Sequence, residues 1–123
     1  MEPQSSGAEI IREAYELITG DRQAAYSHPA DDYQRTVNIF NALMGRDILT
    51  SEEGVLFMVC MKLSRLMHEL EADLDVPDNT RDAVGYLGCL HMIRQSNRQQ
   101  AAKLDALRKR VRHLREVANG LDG

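Results

Sequence analysis

The stretch Thr50–Leu70, TSEEGVLFMVCMKLSRLMHEL, decides the fold class. It begins with a capping box, in which the side chains of Thr50 and Glu53 each accept a hydrogen bond from the other residue's backbone amide. The residues that follow are apolar at almost every helical position, which predicts a helix at the centre of a bundle. No segment of the chain shows the strict alternation of a half-buried strand. The sequence therefore predicts an all-α protein.

Helix signals continue on both sides of this stretch. A capping box at Ser6 and a stop at Gly20 delimit a first helix, and the residues Asp21–Pro29 are predicted to form a polar turn region. A second helix is predicted from about Asp31 to Gly45, and a fourth from about Asn79 to Gln95. The predicted architecture is a four-helix bundle with an additional C-terminal basic amphipathic helix.

Charge divides the chain into two parts. Residues 1–97 carry 8 Lys and Arg against 16 Asp and Glu, whereas residues 98–123 carry 7 against 3. We therefore predict a helical bundle domain over residues 1–96 and a basic C-terminal helix over residues 97–123. That last helix either begins separately with a cap at Ser96 or continues the fourth helix unbroken.

The C-terminal helix carries an apolar seam with the three-four spacing of a coiled coil. Its predicted interface residues are Leu104, Leu107, Val111 and Leu114. We expect this helix to form a homodimer, to swap between two copies or to fold back on the bundle. Its basic residues also allow contact with nucleic acid or with a host protein, although no aromatic residues are interleaved with them.

Several classes of protein are excluded by what the sequence lacks. It has no glycine-rich phosphate loop, no HExxH or CxxC motif and no nucleophile elbow. Cys60 and Cys89 both lie in apolar runs, which indicates reduced core cysteines of a cytoplasmic protein. The chain starts without the features of a signal peptide, and its longest apolar run, Val55–Met61, is too short for a membrane span. We expect a cytoplasmic protein with no membrane contact.

Three polar segments are expected to converge on one ligand pocket. They lie in the turn region, on the central helix and at the start of the fourth helix. Cations on the central helix would neutralise phosphates and a tyrosine would stack on a base. The ligand would bind either with Mg²⁺ held by Asp78 and Asp82 or without a metal ion. The candidate ligand-binding residues are Arg22, Tyr26, His28, Lys62, Arg65, Asp78, Asp82 and Tyr86.

The same residues have a purely structural interpretation. Asp78 and Asp82 suit the N-terminal end of a helix, where the helix dipole favours carboxylates. Lys62 and Arg65 can pair with those aspartates in an internal salt-bridge network, and His28 can serve as a turn residue. The sequence leaves both interpretations open.

These motifs resemble a family of short helical proteins encoded by phages and prophages. The family pattern G-D-R-x-x-x-Y-G-H-P corresponds here to Gly20–Pro29, with Ser27 in place of the second glycine. The pattern K-x-x-R corresponds to Lys62 and Arg65, and D-x-x-x-D-x-x-G-Y to Asp78–Tyr86. The resemblance covers roughly residues 9–95.

This family is similar in outline to the MazG-type all-α nucleoside triphosphate pyrophosphohydrolases, which hold Mg²⁺ on two carboxylate motifs. Asp78 and Asp82 stand in place of the second motif, whereas the first is incomplete because Leu56 occupies its last carboxylate position. The resemblance implies a phage-type accessory protein that binds a nucleotide or a related phosphorylated metabolite, with weak pyrophosphohydrolase activity left open. The alternative is a non-enzymatic interaction protein that dimerises and binds a host macromolecule through its C-terminal helix.

Overall fold

The computed structural model describes residues 6–121, except for the side chains of Asp21 and Arg22. All regular structure in this part of the chain is helical, which confirms the predicted all-α fold. Four helices are long, and one has only six residues. In chain order they are α1 (Gly7–Thr19), α2 (Asp21–Tyr26), α3 (Pro29–Met44), α4 (Ser51–Ala72) and α5 (Pro77–Leu121).

The predicted capping boxes are confirmed at the starts of α1 and α4. The hydroxyls of Ser6 and Thr50 accept hydrogen bonds from the backbone amides of Glu9 and Glu53, at 3.2 Å in both cases. The glutamate carboxylates accept bonds from the cap amides in return. At the end of α3, Gly45 adopts a φ of 73°, a left-handed conformation that glycine reaches without steric strain.

The structure changes one predicted helix boundary and decides between two alternatives at another. The region Asp21–Pro29 is not only a turn, because the carbonyl of Gly20 accepts bonds from the amides of Gln23 and Ala24 and so starts α2. At the C-terminal end, the fourth and final predicted helices form the single helix α5. Ser96 therefore lies inside α5 and caps no new helix, as the second of the two alternatives anticipated.

The chain forms two compact units, Met1–Ile93 and Arg94–Gly123. The first contains α1 to α4 and the beginning of α5. The second consists, in its described residues, of the remainder of α5 up to Leu121. In the described residues the second unit is a single helix, so the hydrophobic core formed between helices lies in the first unit.

The core of the first unit is small and is built around Val55, Cys89 and Ile93. Val55 and Ile93 are fully buried. Tyr33 and Tyr86 pack against this cluster and are themselves only partly buried, so each has one side in the core and another near the surface. Any site that these tyrosines line is therefore in direct contact with the core.

The prediction that α4 is enclosed at the centre of a bundle is wrong. Val55, Val59 and Lys62 lie on its buried face, but Phe57 and Met67 are 62% and 59% exposed, and Cys60 is exposed as well. The reason is that neighbouring helices cover one face of α4, while its apolar residues extend around the helix. An exposed apolar face of this kind is typical of a protein contact. None of the described helices is long and apolar enough to cross a membrane.

A buried carboxylate anchors the connection between α4 and α5. Glu69 belongs to α4 and is buried. Its carboxylate accepts hydrogen bonds from the side-chain amide of Asn79 and from the backbone amide of Val76, the latter at 3.3 Å. A buried carboxylate is tolerated there because these donors replace its lost hydration, and the contact fixes the start of α5 against α4.

Candidate functional site

A cleft in the first unit collects aromatic and polar side chains from four helices. Its volume is about 550 Å³, including the space open to solvent at its mouth. Three tyrosines and three charged residues share its wall with a few small and apolar residues. The lining residues are Leu17, Ile18, Gln23, Tyr26, Ser27, Pro29, Asp32, Tyr33, Arg81, Asp82, Gly85, Tyr86 and Cys89.

The first turns of α5 form one wall of the cleft because of helical spacing. Asp82, Tyr86 and Cys89 recur at intervals of four and three residues and so lie on one face of the helix. Gly85 lies beside them, and a Cβ atom built on it would stand 3.5 Å from Cγ2 of Ile18 in α1. The absence of a side chain at Gly85 leaves space in the wall where α1 and α5 approach each other.

An ion network connects this wall to α1 and α4. Nζ of Lys62 lies 2.9 Å from Oδ2 of Asp82, with only 11% and 23% of the two side chains exposed. The guanidinium of Arg81 lies 2.8 Å from Asp78, 3.5 Å from Glu13 and 3.8 Å from Asp82. Its Nε is buried and has no hydrogen-bond partner in the described structure. Each cation of the network is thus already balanced by at least one carboxylate.

The cleft brings together three of the candidate residues predicted from the sequence: Tyr26, Asp82 and Tyr86. Lys62 does not line the cleft and reaches it only through its ion pair with Asp82. Arg65 is exposed, three residues further along α4. The ion pairing that the structural interpretation allowed is therefore present for Lys62.

Three other candidates lie elsewhere or cannot be placed. His28 caps α3, since its Nδ1 accepts a hydrogen bond from the amide of Ala30 at 3.0 Å. Asp78 is 66% exposed and outside the cleft lining, although it holds Arg81. Arg22 belongs to α2, but its side chain lies outside the described residues.

The structure adds residues that the sequence did not single out. Arg81 lies between the two predicted aspartates in the sequence and forms ion pairs with both of them. Asp32 and Tyr33 reach the cleft from the N-terminal part of α3. Arg81 had a recognisable signal, because it lies three residues after Asp78, within reach on a helix surface. Asp32 and Tyr33 had no such signal, because the direction in which their side chains point depends on how α3 packs against the other helices.

Ser27 joins α2 to α3 in a conformation that favours glycine. Its φ is 70° and its ψ is −177°, a region that residues with a Cβ atom adopt only under strain. Glycine adopts this region without strain, so a serine at this position carries a steric cost. Its hydroxyl does lie 3.4 Å from Arg35, an exposed and weak contact.

Replacing Ser27 by glycine is expected to stabilise the protein by about 1 kcal/mol. The substitution removes strain that costs about 1–3 kcal/mol, and the greater chain entropy of glycine in the unfolded state offsets part of that gain. Thermal or denaturant unfolding would measure the gain. Asp73→Gly is the matched control: Asp73 also has a positive φ, 54°, but lies in the left-handed region that aspartate tolerates. A loss of stability in Ser27→Gly, or an equal gain in the control, would contradict this account of the turn.

The predicted Mg²⁺ ligands, Asp78 and Asp82, both contact Arg81. Within the described residues, no three His, Cys, Asp or Glu side chains come together in a way that could hold a metal ion. The cleft does offer Asp32 and Asp82 as oxygen ligands of the type that Mg²⁺ prefers. Mg²⁺ binding stays a prediction.

The predicted interface residues of the second unit are all exposed. Leu104, Leu107, Val111 and Leu114 are between 41% and 57% accessible to solvent. A shallow groove beside them is lined by Leu107, Val111 and three arginines, Arg108, Arg112 and Arg115. This surface therefore combines an apolar strip with a row of cations, and whether it mediates dimerisation stays a prediction.

Comparison with known proteins identifies a family. The family described as Domain of unknown function (DUF6378) matches residues 9–94, which is more than half of the chain. Gene 55 protein of Mycobacterium phage D29 is 28% identical over 88 residues, covering 68% of this chain and 52% of that protein. The chain therefore spans about half the length of this relative. No solved structure is significantly similar to the chain.

Proposed function

Because the chain belongs to the DUF6378 family and a phage protein is among its relatives, we propose that it is a phage-type accessory protein that binds a nucleotide or related phosphorylated metabolite in the cleft. The observation that carries the proposal is the convergence of Tyr26, Tyr33 and Tyr86 with Arg81 and Asp82 on a single cleft above the core. Ligand sites characteristically combine aromatic walls with a few convergent polar groups.

The chemistry of the wall favours recognition of the base over recognition of the phosphates. Tyrosine rings offer faces on which a planar base can stack, and the carboxylate of Asp82 can accept hydrogen bonds from the amino group of a base. Arg81 and Lys62 are already engaged by carboxylates, so they have little charge left to neutralise a polyphosphate. In this proposal the base occupies the cleft and the phosphates lie towards its open mouth.

Binding is better supported than catalysis. A weak pyrophosphohydrolase activity of the MazG type, to which the family is similar only in outline, would need Mg²⁺ on Asp78 and Asp82. Both carboxylates contact Arg81, so a cation there would have to displace an existing ion pair. We therefore propose a binding protein, and hydrolysis only as a secondary activity if Mg²⁺ proves to strengthen ligand binding.

A thermal-shift screen tests the proposal. The panel contains nucleosides with their mono- and triphosphates, in ribo and deoxy forms, with and without Mg²⁺. A ligand at one hundred times its dissociation constant stabilises by about 2.7 kcal/mol, which raises the melting temperature by several degrees. We expect a shift that depends on the base and changes little between mono- and triphosphate. A flat panel, or a shift that grows with the number of phosphates whatever the base, would contradict this assignment.

A second candidate function is favoured by the exposed apolar seam of the second unit. In this second candidate function the chain is a non-enzymatic interaction protein, which dimerises or binds a host macromolecule through exposed residues such as Leu107 and Leu114. It does not compete with the first candidate, because the cleft lies in the first unit and the seam in the second.

A further inference from the structure

The charges on both sides of the C-terminal seam indicate which kind of partner it can bind. The apolar residues of the seam alternate three and four residues apart, at the a and d positions of three successive heptads. All of those with large side chains are exposed. In this register the seam consists of Leu104, Leu107, Val111, Leu114, Ala118 and Leu121.

In a coiled coil the residues at positions e and g border the seam, and their charges determine which partner helix binds. Arg108 and Arg115 occupy the e positions here, and Lys103 and Arg110 occupy two g positions. No acidic residue occupies an e or g position between residues 103 and 121. The seam is therefore bordered by cations on both sides.

Self-pairing of this seam would place like charges opposite each other. In a parallel pair, Lys103 would face the second copy's Arg108, and Arg110 would face its Arg115. In an antiparallel pair, arginine would face arginine along the e positions. Each such contact is destabilising. The homodimer that the spacing alone suggested is thus opposed by the flanking charges.

These flanking cations are not neutralised within their own segment. Lys109 pairs with Asp105 at 3.0 Å, but Lys109 is at an outer position of the heptad. Among the described residues, the arginines at the e and g positions, Arg108, Arg110 and Arg115, make no ion pair. Their charge is available to a partner.

We infer that the seam over residues 103–121 is a docking site for an amphipathic helix of another protein, one that has an apolar seam bordered by Asp or Glu. A helix of this kind covers the leucines and neutralises the four flanking cations at the same time. Nucleic acid would satisfy the cations but leave the apolar strip in water. This inference rests on the second candidate function above and not on the ligand cleft.

The test uses the full chain and two synthetic helices of three heptads. Both peptides carry leucine and valine at the a and d positions; one has glutamate at e and g, and the matched control has lysine there. Fluorescence anisotropy at 0.15 M and 0.5 M salt measures binding. We expect the glutamate peptide to bind at least about tenfold more tightly than the lysine peptide, with a difference that shrinks at high salt. Equal affinity of the two peptides would overturn the inference.

Charge reversal gives an independent arm. The double variant R108E/R115E should lose at least about tenfold in affinity for the glutamate peptide. It should also gain self-association in sedimentation experiments, because Lys103 and Arg110 would then face glutamates in a second copy. A wild-type chain that dimerises through this seam, and loses dimerisation in the variant, would overturn the proposal in favour of a homodimer.

A third experiment distinguishes this proposal from the second candidate function as a whole. In L107A/L114A the apolar seam is broken while every cation is retained, so binding of the glutamate peptide should be lost. If a 20-base-pair duplex binds the wild-type chain and L107A/L114A equally, and the glutamate peptide binds neither, the segment is a nucleic-acid surface and the proposed helix partner is wrong. If the chain binds neither the peptide nor the duplex and does not self-associate, both this proposal and the second candidate function are wrong.

Discussion

Replacing Lys62 by alanine is expected to lower the free energy of unfolding by about 2 kcal/mol. Its ammonium group lies 2.9 Å from Asp82, and both side chains are largely removed from water. Removing one partner of a buried pair costs about 3–5 kcal/mol, because the other charge is left without compensation. We place the loss below that range because Asp82 is 23% exposed and keeps Arg81 at 3.8 Å. Because the chain has no tryptophan, urea unfolding followed by circular dichroism measures this loss of stability.

Arg65→Ala is the matched control, since this second cation of the KxxR motif is exposed three residues further along the same helix. Its effect should stay within about 0.5 kcal/mol, as for most surface substitutions. The pair K62M and K62M/D82N separates charge from packing: methionine keeps the length of the side chain, and asparagine removes the charge that lysine balanced. Most of the stability should return in the double variant. Equal losses in Lys62→Ala and Arg65→Ala would refute the ion pair as a stabilising element.

Local signals in the sequence predicted the parts of the fold that depend on neighbouring residues. The capping boxes at Ser6 and Thr50 and the stop at Gly45 need only three or four residues to form, and each lies where it was expected. The all-α class follows from the same local signals. The burial of α4 did not follow, because it depends on how many helices cover that helix, and Phe57 and Met67 remain exposed.

The candidate site was predicted in part for the same reason. Tyr86 and Asp82 are one turn apart on α5, so their common placement in the cleft follows from helical spacing. The difference between Lys62 and Arg65 could not be predicted, because it depends on the rotation of α4 towards α5. The KxxR motif thus supplies one structural cation and one exposed cation, and neither lines the cleft.

Replacing Gly85 by alanine is expected to weaken ligand binding by at least about tenfold without loss of stability. Gly85 lies in the wall of the cleft, and the new methyl group would meet only Cγ2 of Ile18, at the ordinary contact distance of 3.5 Å. Within a helix, alanine is about 1 kcal/mol more favourable than glycine, so the fold should be unchanged or slightly more stable. The ligand, however, would lose the space that the methyl group occupies, and overpacking of a fitted site costs about 1–3 kcal/mol.

Gly120→Ala is the control for this substitution, because Gly120 also lies in α5 and an added Cβ there would have nothing within 4 Å. The most direct test of the central claim, that the cleft binds the ligand, is a calorimetric titration of the wild-type chain and both variants with the nucleotide that stabilises the protein most. We predict that the wild-type chain and Gly120→Ala bind with the same affinity, and that Gly85→Ala binds at least about tenfold more weakly while its melting temperature is maintained. Equal affinity in all three proteins would contradict the assignment of the cleft as the ligand site.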